Sequence, residues 1–335
     1  MHPPFKKIIC GLLLGGFSLL TTQLFCGENT DVLLWNFRHR PDQHVEISPA
    51  TMVFNPQEPD MMVLPLKRAG NLIMLEAIVD GIRGNLILDT GSSAVVLNSI
   101  WFNNEARALA GYSAGGITGS TETYSQMRIE HLQISEMEFE KINASVSDLG
   151  HLERARKVKI LGFMGLTLFR EFEVVLDLRN NTMELHRLNF RGNRVNKETR
   201  SSDYDISMPV TVESDVVFLQ AAINKSKLTF CLDTGAESNV IASNLPARAL
   251  NTISVQRRST LRGAGTQQIE VLHGIMNDLS IEKTKFREMQ VLVTNLNNMS
   301  HYFGIRIHGM LGCEFLETGV FHINIKKQTL GIVLN

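Results

Sequence analysis

The chain has 335 residues, is 44% hydrophobic and 20% charged, and carries a formal net charge of −1. That composition excludes a disordered polymer, and the near-neutral balance gives no global electrostatic ground for nucleic-acid binding. The length is enough for one large domain or two small ones with a real core.

Lys6 and Lys7 precede an apolar run, residues 8–20; polar Thr21, Thr22 and Gln23 follow, then Leu24-Phe-Cys-Gly27. A positive end, a short apolar core and small residues are the layout of an export signal. Residues 1–27 are therefore expected to send the chain out of the cytoplasm, to the periplasm or the exterior. The run up to Cys26 almost reaches bilayer length, so an uncleaved membrane tether is the alternative. Residues 28–60 hold two polar clusters and little pattern, which fits a pro-segment, a tether or an extra edge strand.

From residue 61 the pattern is that of strands. Residues 72–79, 127–134, 172–178, 216–223, 289–293 and 321–325 are short apolar-rich runs, separated by turn signals such as Asp80-Gly81, Gly115-Gly116 and Asn180-Asn181. Helical periods are scarce, with short turns expected at 99–110 and 245–250 and after Gly165 and Gly312. Between the two halves, residues 191–205 include Arg191, Arg194, Lys197 and Arg200 and read as a solvated linker. Cys231 and Cys313 sit in apolar contexts, where buried free thiols are favoured over a disulfide.

Asp-Thr-Gly occurs at Asp89 and again at Asp233, each time where an apolar run enters a glycine turn. Such a tripeptide is expected roughly 0.1 times in a chain of this length, so two copies in matching contexts mark a duplication. Pro65 and Pro209, Ala77 and Ala221, and Val96 and Val240 keep the offset of the two aspartates. With three residues more, Phe139 matches Phe286, and Gly162-Phe-Met-Gly165 matches Gly309-Met-Leu-Gly312. The expectation is an all-β, duplicated, two-lobed fold, with a first lobe at 61–190 and a second at 206–335, each a small barrel-like unit with a short helix. Two carboxylates brought together at facing turns cannot both ionise, which makes them an acid/base pair.

Asp-Thr-Gly followed by Ser or Ala, with the apolar-apolar-Gly segments Phe163-Met-Gly165 and Met310-Leu-Gly312 downstream, resembles the pepsin superfamily of aspartic proteases, and most closely its bacterial retropepsin-like type. The resemblance implies an aspartic endopeptidase acting on peptide or protein, with Asp89 and Asp233 sharing a proton and holding the attacking water. Thr90 and Thr234 would tie the turns together, and Gly91 and Gly235 would let backbone amides approach the carboxylates. No cofactor, metal or nucleic acid is implied, and one chain holding both halves can act as a monomer. Ser92 follows the first glycine and Ala236 the second. A Ser92 hydroxyl donating to Asp89 would make Asp89 the more easily ionised member. Glu237 stands where retroviral enzymes place a substrate-contacting Asp, with a plain rim charge as the other reading, and Ser93 is its first-lobe equivalent. The Arg that those enzymes carry after the downstream glycine is replaced by Leu166 and Cys313. Flaps are expected at 112–120 and 261–267, with Gly116, Gly119, Gly263 and Gly265 meeting substrate backbone and Tyr112 or Tyr124 as a flap tyrosine. Two other classes remain: a non-catalytic peptide-binding protein on the same fold, and an actin-type α/β phosphotransferase, which also carries paired Asp-x-Gly turns.

Overall fold

The computed structural model describes residues 36–37, 51–53, 59–102, 107–116, 119–196, 203–262 and 268–335, with backbone alone for 36–37, 51–53, 107–116, 119–124, 261–262 and 268–269. The fold is all-β and duplicated, with two lobes of strands and only short helical turns, which excludes the actin-type alternative.

Each lobe begins with a hairpin, Leu72–Val79 with Ile82–Leu88 in the first and Val216–Ile223 with Ser226–Leu232 in the second. Its turn has two positive φ angles, 45° and 82° at Asp80 and Gly81, 45° and 62° at Asn224 and Lys225. That is the two-residue turn whose twist matches paired strands. In the first lobe Leu72–Val79 also pairs with Gly119–Ile134, closing a barrel. In the second, Leu279–Ile281 adds to Val216–Ile223 at the equivalent place, but its sheet stays open. The buried residues form one continuous apolar core through both lobes, with a smaller cluster in the first around Met74, Phe163 and Leu152.

One strand in each lobe shapes the site. Ile160–Met164 runs between Ile82–Leu88, to which it is parallel, and Val95–Asn98, to which it is antiparallel. It separates the strand entering the Asp-Thr-Gly turn from the strand leaving it, so residues 89–94 must loop over its end. Gly309–Leu311 does the same between Ser226–Leu232 and Asn239–Ala242. The following glycines fit because the space is already taken. A Cβ on Gly165 would lie 1.9 Å from the Ser92 carbonyl oxygen, and one on Gly312 would lie 2.4 Å from that of Ala236.

The lobes share a six-stranded sheet, in the order Ile206–Pro209, Thr329–Leu334, Gly319–Asn324, Phe172–Asp177, Thr182–Arg187, Met61–Pro65. Three strands come from each half, with Phe172–Asp177 and Gly319–Asn324 paired at the centre. Arg170 of the first half pairs with both carboxylate oxygens of Asp215 in the second, and Arg68 reaches Glu317 at 2.7 Å.

Three details depart from the sequence expectation. The helix expected over 99–110 is Ser99–Phe102 alone, and Arg107–Gly116 is a strand. Two helices of seven residues, Gly150–Arg156 and Asn297–Phe303, went unread. Arg194 is not solvated: it pairs with buried Glu173. Burial would raise the Glu173 carboxyl, but hydrogen bonds from His322, Arg194 and Asn324 outweigh it and pull it down to about 2. In the N-terminal extension, Thr51–Val53 adds to Met137–Ser147 and Asn36–Phe37 adds to Arg107–Gly116. No helix among the described residues is long and apolar enough to cross a membrane.

Candidate active site

Both Asp-Thr-Gly turns sit at the junction of the lobes and face each other. Asp89, Asp233, Thr234 and Ser92 are fully buried and Thr90 nearly so. Each turn is pinned in its own lobe through its aspartate: Asp89 N donates to Met164 O at 2.9 Å, and Asp233 N to Leu311 O at 3.0 Å. Each is also pinned to the other lobe through its threonine. Thr90 N donates to Thr234 Oγ1 at 3.0 Å and Thr234 N to Thr90 Oγ1 at 2.9 Å. The hydroxyls donate onward, Thr90 Oγ1 to Leu232 O at 2.8 Å and Thr234 Oγ1 to Leu88 O at 2.6 Å. Each hydroxyl therefore donates one bond and accepts one across the interface. Thr90→Val or Thr234→Val leaves a buried amide and a buried carbonyl without partners. Each is expected to cost about 2–4 kcal/mol of stability, read as a drop in denaturant midpoint at constant m.

The carboxyls approach each other because neither glycine has a side chain. A Cβ on Gly91 would lie 2.6 Å from the Asp233 carboxyl carbon, and one on Gly235 would lie 2.5 Å from that of Asp89. The Oδ1 atoms are satisfied by the turns, with Gly91 N donating to Asp89 at 3.0 Å and Gly235 N to Asp233 at 2.8 Å. No donor among the described residues reaches the Oδ2 of Asp89 or of Asp233, and the two carboxyls lie within hydrogen-bond reach of each other. Two buried acceptors so placed are satisfied when one carries a proton.

The two carboxyls share that proton, and burial raises both. Burial, then the charge of Asp233 and the hydrogen bond to it, push the Asp89 carboxyl well above the usual carboxylate range. Burial also raises Asp233, to about 6, but donation from Asp89 and from the amides of Gly235, Gly91 and Ala236 holds it lower. The ground on which the sequence made Asp89 the more easily ionised member is absent. The Ser92 hydroxyl donates to Ala94 O at 2.9 Å and not to Asp89, so the group meant to favour ionisation of Asp89 is engaged elsewhere. Ala236 is equally buried and gives its carbonyl to Cys313 N.

Glu237 is not a plain rim charge. It is 7% exposed and its carboxylate pairs with Arg156 of the first lobe. Gly116 and Gly119 face each other at the end of the hairpin formed by Arg107–Gly116 and Gly119–Ile134. The second lobe has its counterpart in Ile253–Arg262 and Gln268–Met276, whose tip, with Gly263 and Gly265, lies outside the described residues. The side chains of Tyr112 and Tyr124 also lie outside them. Cys231 and Cys313 are buried and unbonded, and their thiols are pushed up by burial and then by the charge of Asp233. No group of three or more His, Cys, Asp or Glu side chains arranged to hold a metal occurs among the described residues.

Fold and site together describe a two-lobed, all-β protein that is similar to the aspartic proteases of the pepsin superfamily. The aspartyl protease family model matches residues 219–315, a stretch of the second lobe that includes Asp233 and Gly312. No curated protein matches the chain. Two solved structures align with it. An aspartic proteinase from Irpex lacteus is 14% identical, with 82% of this chain and 97% of that one covered at a TM-score of 0.47. A retropepsin-like aspartic protease from Rickettsia conorii is 16% identical, with 37% and 88% covered at a TM-score of 0.26.

Proposed function

We propose that the protein is an aspartic endopeptidase that hydrolyses peptide bonds with water activated between Asp89 and Asp233. The observation that carries this is the pair of buried carboxyls within hydrogen-bond reach of each other at the junction of the lobes. Protonated Asp89 donates to the carbonyl oxygen of the scissile bond. Ionised Asp233 takes a proton from the water as its oxygen bonds to the carbonyl carbon. When the tetrahedral diol collapses, the proton held by Asp233 passes to the leaving nitrogen and Asp89 regains its own. No covalent intermediate forms. The hairpins of the two lobes provide edges to which an extended peptide adds as a strand. With both halves in one chain, a monomer holds the whole dyad. The layout of residues 1–27 supports export, with a membrane tether as its variant.

The test is digestion of a mixed peptide library between about pH 3 and 9, a window spanning the titration of a carboxylate dyad. Discrete internal cuts are the expected result. A folded protein that cuts nothing anywhere in that window overturns the reading in favour of a non-catalytic peptide-binding protein.

A further inference from the structure

The Arg156–Glu237 pair is a buried ionic contact between the lobes, four residues beyond Asp233. Such a contact needs a reason, because taking two charges out of water costs more than an average surface pair returns. The structure surrounds it with supports. Arg156 ends the helix Gly150–Arg156, and Glu153, one turn earlier, fixes that helix to the first lobe. The Glu153 carboxylate accepts from Trp101 Nε1 at 2.9 Å, Ile160 N at 3.0 Å and Asn98 Nδ2 at 3.4 Å. A tight turn of the first lobe covers the pair. Gly70 has φ +65°, a conformation that favours glycine, and a Cβ there would lie 2.7 Å from Arg156 Nη1, so the turn lies directly against the guanidinium. Asn71 then clamps the second lobe from the other side: its Nδ2 donates to Glu237 O at 3.3 Å, and its carbonyl accepts from Cys313 Sγ at 3.1 Å. Cys313 Sγ also lies 3.3 Å from Thr234 O, inside the Asp233 turn.

The duplication supplies an internal comparison. The position equivalent to Glu237 is Ser93, and the position equivalent to Arg156 is Phe303, whose ring packs on Phe218 at 5.2 Å. The first Asp-Thr-Gly turn therefore lacks the matching ion pair. An interaction retained on one side only, and aimed at the turn of the aspartate that carries the charge, does more than join two symmetric lobes.

We propose that Arg156 is a positioning residue: by gripping Glu237 across the lobe interface it sets the second Asp-Thr-Gly turn, and so places the Asp233 carboxylate against Asp89 and the attacking water. Glu237 is then a receiver of that grip and not a contact for substrate. The proposal rests on the aspartic-protease reading. Asp233, Arg68, Glu237 and Glu317 are the charged groups that act on the neighbouring Cys313 thiol.

The test compares the full wild-type chain with Arg156→Met, Glu237→Gln and Arg156→Lys. The measured quantities are kcat, KM and their pH dependence on a peptide the wild type cuts, and the pH midpoint of the stability curve. Displacing one carboxylate by a fraction of an ångström is expected to lower kcat about 10–100-fold, with KM within about threefold, because substrate contacts remain. The acid limb of the rate profile and the stability midpoint should move together, and Arg156→Lys should recover much of the rate. A rise in KM with kcat intact would return Glu237 to substrate binding. Unchanged kinetics with a lower melting temperature would make the pair a tie between lobes and nothing more. If Arg156→Met does not fold, Glu237→Gln, which keeps shape and hydrogen-bonding atoms, decides alone. If the wild type cuts no peptide the protease reading fails, while the positioning of Asp233 still stands or falls on the stability midpoint.

Discussion

Asp233→Asn and Asp89→Asn are each expected to lower kcat/KM for any cleaved peptide by about 10³-fold or more, while leaving the lobes folded. General acid–base help from one group is worth about 10²–10⁴, and members of a unit that act together cost nearly as much singly as together. The double variant should therefore be scarcely slower than either single one. Folding survives because Asn keeps the size of Asp and the oxygen that accepts from Gly235 N or Gly91 N. The measurement is steady-state cleavage of one peptide taken from the library, with melting recorded on the same samples. Either single variant retaining a tenth of the wild-type rate would remove that carboxyl from the chemistry.

The second large effect is in pH. A working dyad needs Asp233 ionised and Asp89 protonated. With Asp233 raised to about 6 and Asp89 well above the ordinary carboxylate range, both carry protons in acid and no base is present. The rate is expected to rise through about pH 6, to be highest near neutrality, and to fall again once Asp89 ionises. A maximum at pH 3–4 would contradict the placement of these groups. Stability should move the other way. Both carboxyls have folded pKa values above the ordinary 3.8, so the folded state holds more protons than the unfolded between the two. That contribution is complete below about pH 4 and is lost as pH rises through about 6. A displacement of about 2 pKa units at Asp233 corresponds to roughly 3 kcal/mol. Asp233→Asn, neutral at every pH, is expected to be more stable than wild type at pH 8 by an amount of that order. Denaturant midpoints at pH 4 and 8 check it, and a wild type equally stable at both would refute it.

Opposed costs of this kind explain why the rest of the site is so fully bonded. Two buried acids destabilise the junction at neutral pH, and the four threonine hydrogen bonds and the arginine–carboxylate pairs across the lobes offset them. Burial sets the site against ionisation, and the framework around it is correspondingly fully bonded.

Much of this was legible in the residues. The repeat follows from two turns with the same neighbours, and the strand class follows from short apolar runs between Asp80-Gly81 and similar turns. The glycines of the Phe163-Met-Gly165 and Met310-Leu-Gly312 segments were visible as a pattern, though the carbonyl oxygens that exclude a Cβ there were not. Gly150–Arg156 and Asn297–Phe303 were missed because seven residues make fewer than two full turns, too few to show a helical period. Arg194 read as solvated because its partner Glu173 lies 21 residues away on a strand of the shared sheet.

The sequence by itself determined the all-β class, the two lobes and the pair of aspartates, because turn chemistry, apolar alternation and internal repetition are properties of neighbouring residues. Only the tertiary structure decided that no serine hydroxyl assists Asp89, and that Glu237 belongs to Arg156. The first depends on where the Ser92 hydroxyl points, towards Ala94 O and away from Asp89. The second joins residues 81 positions apart on different lobes. Burial and charge pairing act through distance in space, and spacing along the chain does not carry that distance until the two lobes have closed on each other.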